Sequence, residues 1–269
     1  MSMWSGLGIN FASHPTGFST YCDTCLDRGI RYLRLNTPDF NNATAIVEEK
    51  ANCLYALSKG AYVTWGISSG STTLTSSNWA DFVTAVLATA QWAQNNNLSE
   101  FSIGNEEENH NDDDTLTDAD VRTNIKTLAT QVQAVFTSGP VSYQTSNPSI
   151  PSWVSIGKGD LDLIEFNVYK KQHTTWKTNI TSALETFGNT STYITEFSIS
   201  SVSLADYSSS EEIQAREIGM MLEDIQTLGI KRAYFFTYRD ANFGALNTDG
   251  VYRLLWNNLT TNNGRRWFI

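Results

Sequence analysis

The sequence contains few of the residues that metal-dependent and redox chemistry require. Only three histidines and three cysteines occur among 269 residues. A metal-dependent hydrolase would need histidine and aspartate ligands at strand ends, and no two histidines here share a candidate strand. Cys22 and Cys25 lack a second ligand pair, so we expect them and Cys53 to be buried, reduced thiols rather than a zinc or redox site. The acidic run at residues 112–114 lacks the spacing of a calcium loop. We therefore expect neither metal nor cofactor.

Long apolar runs and an excess of positive charge are also missing. No apolar stretch is long enough to cross a membrane. The formal net charge of −10 argues against nucleic acids and anionic membranes as partners, because both favour basic surfaces. The first residues lack a charged segment followed by an apolar one, so a secretion signal is absent or already removed. Scarce lysine and abundant Asn, Ser and Thr favour an extracellular protein, with the cytoplasm as the alternative.

Short apolar strands alternate with amphipathic helices from end to end. The candidate strands are residues 6–11, 32–36, 62–67, 101–105, 141–145, 163–169, 193–197 and 233–238. Helical segments between them include residues 43–58, 79–95, 121–136 and 211–228. Such alternation predicts a parallel sheet. A strand count of eight, in a chain of the usual length for one barrel, favours a single (β/α)8 TIM barrel over residues 1–269 rather than an open doubly wound sheet.

Two candidate strands have a glutamate at or next to their carboxyl end. The fourth runs into Glu106, and the seventh contains Glu196 next to its end. Residues at the carboxyl ends of barrel strands share one face of the molecule, so these two carboxylates are expected to project into one cleft. Hydrolysis of a glycosidic bond uses such a pair: one carboxylic acid protonates the leaving oxygen, and the other attacks the anomeric carbon. The two groups need different pKa values and therefore different surroundings.

These motifs resemble the glycoside hydrolases of clan A, which include the family-five cellulases and mannanases and the family-thirty-nine enzymes. Members carry Asn-Glu at the end of strand four and Glu at the end of strand seven, here Asn105-Glu106 and Glu196. The resemblance implies retention of anomeric configuration through a covalent glycosyl-enzyme. It assigns Glu106 as acid/base and Glu196 as nucleophile, and it implies that Asn105 hydrogen-bonds the 2-hydroxyl of the sugar being cleaved.

The resemblance covers nearly the whole chain. Residues 29–35 look like the clan's strand two, whose arginine steadies the nucleophile, and the matching residue is Arg34. Residues 163–169 look like strand six, with Asn167 and Tyr169 near its end. Residues 235–240, followed by residues 242–244, look like strand eight and its loop.

The sequence also departs from the clan pattern. Many members place a tryptophan on strand eight beneath the sugar, and here the matching position is Phe235 or Phe236, which offer an apolar face but no N–H donor. Glu108 has the same strand parity as Glu106, although the Asn-Glu pairing selects Glu106. Glu165 lies two residues before Asn167 on strand six and is therefore expected to face inward as well. We expect it to pair with an arginine rather than to act in catalysis, because an isolated buried charge is very costly.

Aromatic side chains after the candidate strands are predicted to contact sugar rings, which present apolar faces. The candidates are Trp65, Trp153, Tyr169, Trp176 and Phe243. His14 is expected to contact the sugar, and His110 either contacts the leaving group or is an exposed histidine without a role. A cleft with several aromatic loops would be longer than one sugar, which favours endo-action. We therefore expect a monomeric, retaining hydrolase of β-linked oligo- or polysaccharides. The alternative is a carbohydrate-binding barrel without turnover, which would have no need of the acid.

Overall fold

Eight parallel strands close into a barrel, with β1 paired to β8. The computed structural model describes residues 4–12, 17–112, 114–169, 175–199, 210–238, 245 and 256. The strands are β1 Leu7–Phe11, β2 Tyr32–Leu35, β3 Tyr62–Gly66, β4 Glu100–Asn105, β5 Val141–Ser146, β6 Leu163–Tyr169, β7 Thr192–Ser198 and β8 Ala233–Phe236. The helices are α1 Phe18–Asp27, α2 Ala43–Ser58, α3 Trp79–Asn95, α4 Asp118–Gln133, α5 Ile150–Ile156, α6 Trp176–Phe187 and α7 Ser210–Thr227. The predicted (β/α)8 barrel is thus confirmed.

Helix α4 shows how local chemistry sets an element boundary. Apolar periodicity predicts a start at Val121, yet the helix begins at Asp118. Thr117 caps it: the Thr117 hydroxyl accepts from the backbone N–H of Asp120 at 3.2 Å, and the Asp120 carboxylate accepts from the N–H of Thr117 at 3.1 Å. Such a capping box satisfies amides that the first helical turn leaves unpaired. Here the cap decides the start of the helix more than the apolar stripe does.

The barrel wall separates an apolar shell from a polar interior. Outward-facing strand residues pack against the helices, as where the ring of Trp65 on β3 contacts that of Trp92 on α3 at 5.4 Å. At the amino-terminal end of the barrel, Arg232 forms ion pairs with Glu100 and, at 3.5 Å, with Glu165. This confirms the predicted pairing of Glu165 with an arginine. The Arg232 guanidinium also lies 4.4–5.5 Å from the rings of Tyr32, Tyr62, Tyr193 and Tyr234.

The cysteines lie in the shell between helices and barrel. Cys22 and Cys25 on α1 and Cys53 on α2 are fully buried and free, as the sequence predicts. Burial raises the pKa of all three thiols above the usual value, so they stay protonated and behave as small apolar residues. Among the described helices, none is both long and apolar enough to cross a bilayer.

Candidate active site

A bulge in β7 turns Glu196 into the barrel. Ile194 pairs with Ala233 and Phe197 pairs with Phe235, so β7 has one more residue than β8 over this stretch. The extra residue allows both Thr195 and Glu196 to form hydrogen bonds inside the barrel. Without the bulge, strict alternation of side chains would send one of them outward.

The end of β4 is also irregular. Three residues of β4 span two of β5 between Ser102 and Asn105, and Gly104 within this stretch has a φ of +155°. Glu106, immediately after the strand, has φ 59° and ψ 36°, a left-handed conformation that is uncommon for residues other than glycine. Its backbone N–H donates to the carbonyl of Gln144 on β5 at 2.7 Å. The backbone thus directs Asn105 and Glu106 toward the barrel axis.

Glu196 is surrounded by hydrogen-bond donors from three other strands. The Arg34 guanidinium on β2 donates from Nη1 to Glu196 Oε1 at 2.7 Å. The Tyr169 hydroxyl on β6 donates to Oε2, and Asn10 Nδ2 on β1 lies 3.5 Å from Oε1. Arg34 and Glu196 are only 3% and 7% exposed, so their mutual attraction is weakly screened. These hydrogen bonds hold the Glu196 carboxylate in one orientation.

Glu106 lies in a different environment. Asn167 Nδ2 donates to Glu106 Oε1 at 2.7 Å, and Asn109 Nδ2 donates to Oε2 at 3.0 Å. Burial, and then the negative charge of Glu196, raise the pKa of Glu106 above its usual value. Both of these donors are neutral side-chain amides. The two carboxylates therefore lie in different surroundings: a guanidinium contacts Glu196, and two side-chain amides contact Glu106.

Asn105 and Asn167 link the two carboxylates. Asn105 Oδ1 accepts from Arg34 Nη2 at 2.8 Å and from Asn167 Nδ2 at 3.2 Å. Asn167 Oδ1 accepts in turn from the hydroxyl of Thr195 at 2.8 Å. A continuous chain of hydrogen bonds thus runs from Glu106 through Asn167, Asn105 and Arg34 to Glu196. Among these contacts, Arg34 Nη1 and Nη2 serve Glu196 and Asn105 separately, which requires the forked geometry of a guanidinium.

An open cavity of about 300 Å³ adjoins Glu196 at the carboxyl ends of the first strands. Its lining consists of Ala12, Arg34, Asn36, Thr37, Ser68, Gly70, Asn105, His110, Glu196 and Phe236. Phe236, the last residue of β8, is half-buried, and its ring packs edge-on against Tyr169 at 5.8 Å. Phe236 is therefore the strand-eight aromatic that faces the cleft.

Four aromatic residues predicted to bind sugar are buried elsewhere, and these predictions are wrong: Trp65, Trp153, Trp176 and Phe235. Trp65 is 0% exposed and faces α3, because Thr64 before it takes the inward position on β3. Phe235 is 0% exposed and packs against Phe197 on the outer side of the wall. Trp176 is 3% exposed in the first turn of α6, within the apolar core. No side chain this deeply buried can stack on a substrate.

Trp153, the fourth buried candidate, donates from Nε1 to Glu108 at 3.0 Å. The Glu108 carboxylate contacts Tyr143, Thr145 and Trp153 and does not line the cavity. Glu108 is therefore not an alternative to Glu106, although both were expected to face the same way. His110 is exposed and lines the cavity. His14 and Phe243 lie outside the described residues.

Two site residues escaped the sequence reasoning. Asn10 contacts Glu196 as described above, and Gln144 Oε1 on β5 accepts from Arg34 Nε at 2.9 Å. Both side chains are fully buried. Each is an amide within an otherwise apolar or small-residue strand, one or two residues before the strand ends. A polar residue at that position was the available signal.

No protein-family model matches the chain, and no curated protein matches it. Among solved structures it is similar to a GH113 β-1,4-mannanase (14% identity, covering 97% of this chain and 98% of that chain, TM-score 0.67). It is also similar to a GH39 β-xylosidase from Caulobacter crescentus (16% identity, covering 97% of this chain and 71% of that chain, TM-score 0.63). A third neighbour is the catalytic domain of the Thermobifida fusca endoglucanase Cel5A (14% identity, covering 91% of this chain and 82% of that chain, TM-score 0.65).

At this identity the likeness shows the fold. The three neighbours are a mannanase, a xylosidase and an endoglucanase, which are glycoside hydrolases like the proteins that the sequence motifs resemble. Within the described part of the chain, no cluster of three or more His, Cys, Asp or Glu side chains is arranged to hold a metal ion.

Proposed function

We propose that this protein is a retaining glycoside hydrolase that cleaves β-linked glycans by double displacement. Glu106 acts as the general acid and base, and Glu196 acts as the nucleophile. The observation that carries this proposal is the contrast between the two carboxylates: Glu196 is bound by the Arg34 guanidinium at 2.7 Å, whereas burial and the charge of Glu196 raise the pKa of Glu106. The likeness to clan A hydrolases supports the same assignment.

The first step forms a glycosyl-enzyme. Glu106 gives its proton to the glycosidic oxygen while Glu196 attacks the anomeric carbon, so the C–O bond to the leaving group breaks as the bond to Glu196 Oε forms. Arg34 and the Tyr169 hydroxyl hold the attacking carboxylate in line. In the second step Glu106, now ionised, takes a proton from water, and that water releases the sugar with its original configuration.

Asn105 and Phe236 are proposed to position the sugar. Asn105 Oδ1 already accepts from Arg34 and Asn167, which leaves its Nδ2 to donate to the 2-hydroxyl. That hydrogen bond strengthens as positive charge develops at the anomeric carbon. The half-buried ring of Phe236 offers an apolar surface beside Glu196. His110 extends the same cavity on the side of β3 and β4.

Activity should be sought first on a panel of aryl β-glycosides and β-glycan polysaccharides. Glu196→Gln should abolish turnover of every substrate, since no covalent intermediate can form. Glu106→Gln should lose activity on phenyl glycosides but retain the first step with dinitrophenyl glycosides, whose leaving group needs no proton. Added azide should then restore turnover and give a β-glycosyl azide. Azide rescue of Glu196→Gln to a β product would reverse the assigned roles.

The mode of action needs a separate measurement. A cleft for endo-action needs aromatic side chains in its loops, and Trp65, Trp153 and Trp176 do not provide them because all three are buried. Product lengths from a long β-glycan would decide the question: a spread of oligosaccharides early in the reaction indicates endo-action, and release of a single small product indicates exo-action. If the protein is instead a carbohydrate-binding barrel without turnover, the wild type will release no product from the glycan, and Glu196→Gln will bind the glycan as well as the wild type does.

A further inference from the structure

The turn that follows Glu106 contains two further carboxylates that the proposed mechanism does not use. Glu107 is 0% exposed and Glu108 is 3% exposed. A buried carboxylate is unfavourable unless hydrogen bonds replace its water. Two of them in succession, directly after the proposed acid, therefore indicate a specific structural task at this turn.

Glu107 connects the acid turn to the wall of the cavity. Its Oε1 accepts from the backbone N–H of Asn105 at 2.9 Å and of Ser69 at 3.2 Å, and its Oε2 accepts from the N–H of Ser69 at 3.1 Å. Ser69 lies between Ser68 and Gly70, which line the cavity. The side chain folds back beneath β4 because Gly104 leaves room: a Cβ at that position would lie 2.8 Å from Glu107 Cγ.

Glu108 anchors the same turn on the opposite side. Its carboxylate accepts from the hydroxyls of Tyr143 and Thr145 on β5 and, at 3.0 Å, from Trp153 Nε1 on α5. The Tyr143 hydroxyl also accepts from the backbone N–H of Glu107 at 2.9 Å. The turn is therefore fixed to β5 and α5 on one side and to the segment after β3 on the other.

Glu106 lies between these two anchors in a left-handed conformation that its side chain does not favour. We infer that Glu107 and Glu108 are positioning residues that hold Glu106 in the orientation needed for proton donation. Glu107 in addition couples that orientation to the Ser68–Gly70 wall of the sugar cavity. This inference rests on the proposed acid role of Glu106.

Leaving-group dependence separates positioning of an acid from general support of the fold. In Glu107→Asp the carboxyl group remains, but the side chain is one methylene shorter and cannot reach both backbone amides. We expect kcat/KM on phenyl β-glycosides to fall by about 10²-fold, within the range that general acid catalysis contributes, and to fall far less on dinitrophenyl glycosides. KM should also rise, because the cavity wall loses its anchor. Glu107→Gln should retain more activity, since one amide oxygen can still accept from both Asn105 and Ser69.

Glu49 provides the matched control. It is a glutamate on α2 that is 1% exposed and lies outside the site, so Glu49→Asp should shift the unfolding temperature without changing the ratio of phenyl to dinitrophenyl rates. If Glu107→Asp lowers both rates equally, or lowers neither, the positioning role is refuted. A wild-type protein that is inactive on every glycoside would instead refute the proposed function itself, and the inference with it.

Discussion

Removal of the Arg34 guanidinium should inactivate the protein without unfolding it. Arg34 and Glu196 form a buried ion pair at 2.7 Å, and Arg34 also donates to Asn105 at 2.8 Å and to Gln144 at 2.9 Å. Breaking a buried pair by removing one partner costs about 3–5 kcal/mol. If the transition state loses that stabilisation in full, kcat/KM in Arg34→Met falls by roughly 10²–10⁴-fold, at about 1.4 kcal/mol per factor of ten.

The assay is kcat/KM on a dinitrophenyl β-glycoside, whose leaving group needs no acid catalysis. In Arg34→Met this value should fall, because the Glu196 carboxylate has lost the guanidinium that holds it in line for attack. Arg34→Lys should be intermediate, since one ammonium keeps the charge but cannot reproduce the fork that serves Glu196, Asn105 and Gln144.

Arg232 is the control for this experiment. It is a second buried arginine inside the barrel, 5% exposed, and it pairs with Glu100 and Glu165 away from the cavity. Arg232→Met should reduce stability by a comparable amount while leaving kcat/KM on this substrate near the wild-type value. A folded Arg34→Met protein with wild-type kcat/KM would refute the role given to Arg34.

Three further predictions concern Glu49, Glu106 and the cavity-lining ring of Phe236. Burial raises the pKa of Glu49 from 4.5 to about 8, so the folded state keeps a proton that the unfolded chain releases. The free energy of unfolding should therefore fall from pH 5 to pH 8, by on the order of 4 kcal/mol; urea unfolding should show this decline in the wild type and a clearly smaller one in Glu49→Gln. Glu196→Gln should lower the pKa of Glu106 by removing the neighbouring charge, and an unchanged carboxyl titration by NMR would show that burial alone sets it. Phe236→Ala should raise KM about tenfold, equivalent to about 1.4 kcal/mol, whereas Trp176→Phe should change only the unfolding temperature; equal KM values in both variants would remove Phe236 from the substrate site.

The barrel could be predicted from sequence because its signals are local. Apolar stripes located α2 and α3 at their observed bounds, and eight apolar strands in alternation with helices left few other architectures. The proximity of Glu106 and Glu196 followed from the same reasoning, since strand ends in a closed barrel must meet at one face. These inferences need only periodicity and strand order.

Side-chain direction near strand ends could not be predicted in the same way. The bulges in β4 and β7 shift the alternation by one residue. Gly104 marks the bulge in β4, since a glycine inside a strand often indicates one, but β7 contains no glycine to mark its bulge. The end of strand three predicts Trp65 in the cleft, and the resemblance to the clan's strand eight predicts Phe235 there. Each residue neighbours an inward-facing residue and so faces the helices. The roles of Glu107 and Glu108 depend on contacts with distant segments, which a single sequence does not reveal.

The central claim is that Glu196 attacks the sugar and carries it as a covalent intermediate. A dinitrophenyl 2-deoxy-2-fluoro-β-glycoside forms such an intermediate but hydrolyses it slowly, because the fluorine destabilises the positive charge of both transition states. After incubation with this compound, mass spectrometry of the intact protein should show the addition of one fluorosugar, and peptide mapping should place it on Glu196. The label should be absent from Glu196→Gln. A label on Glu106, or a wild-type protein that turns over the parent glycoside with inverted configuration and takes up no label, would contradict the account.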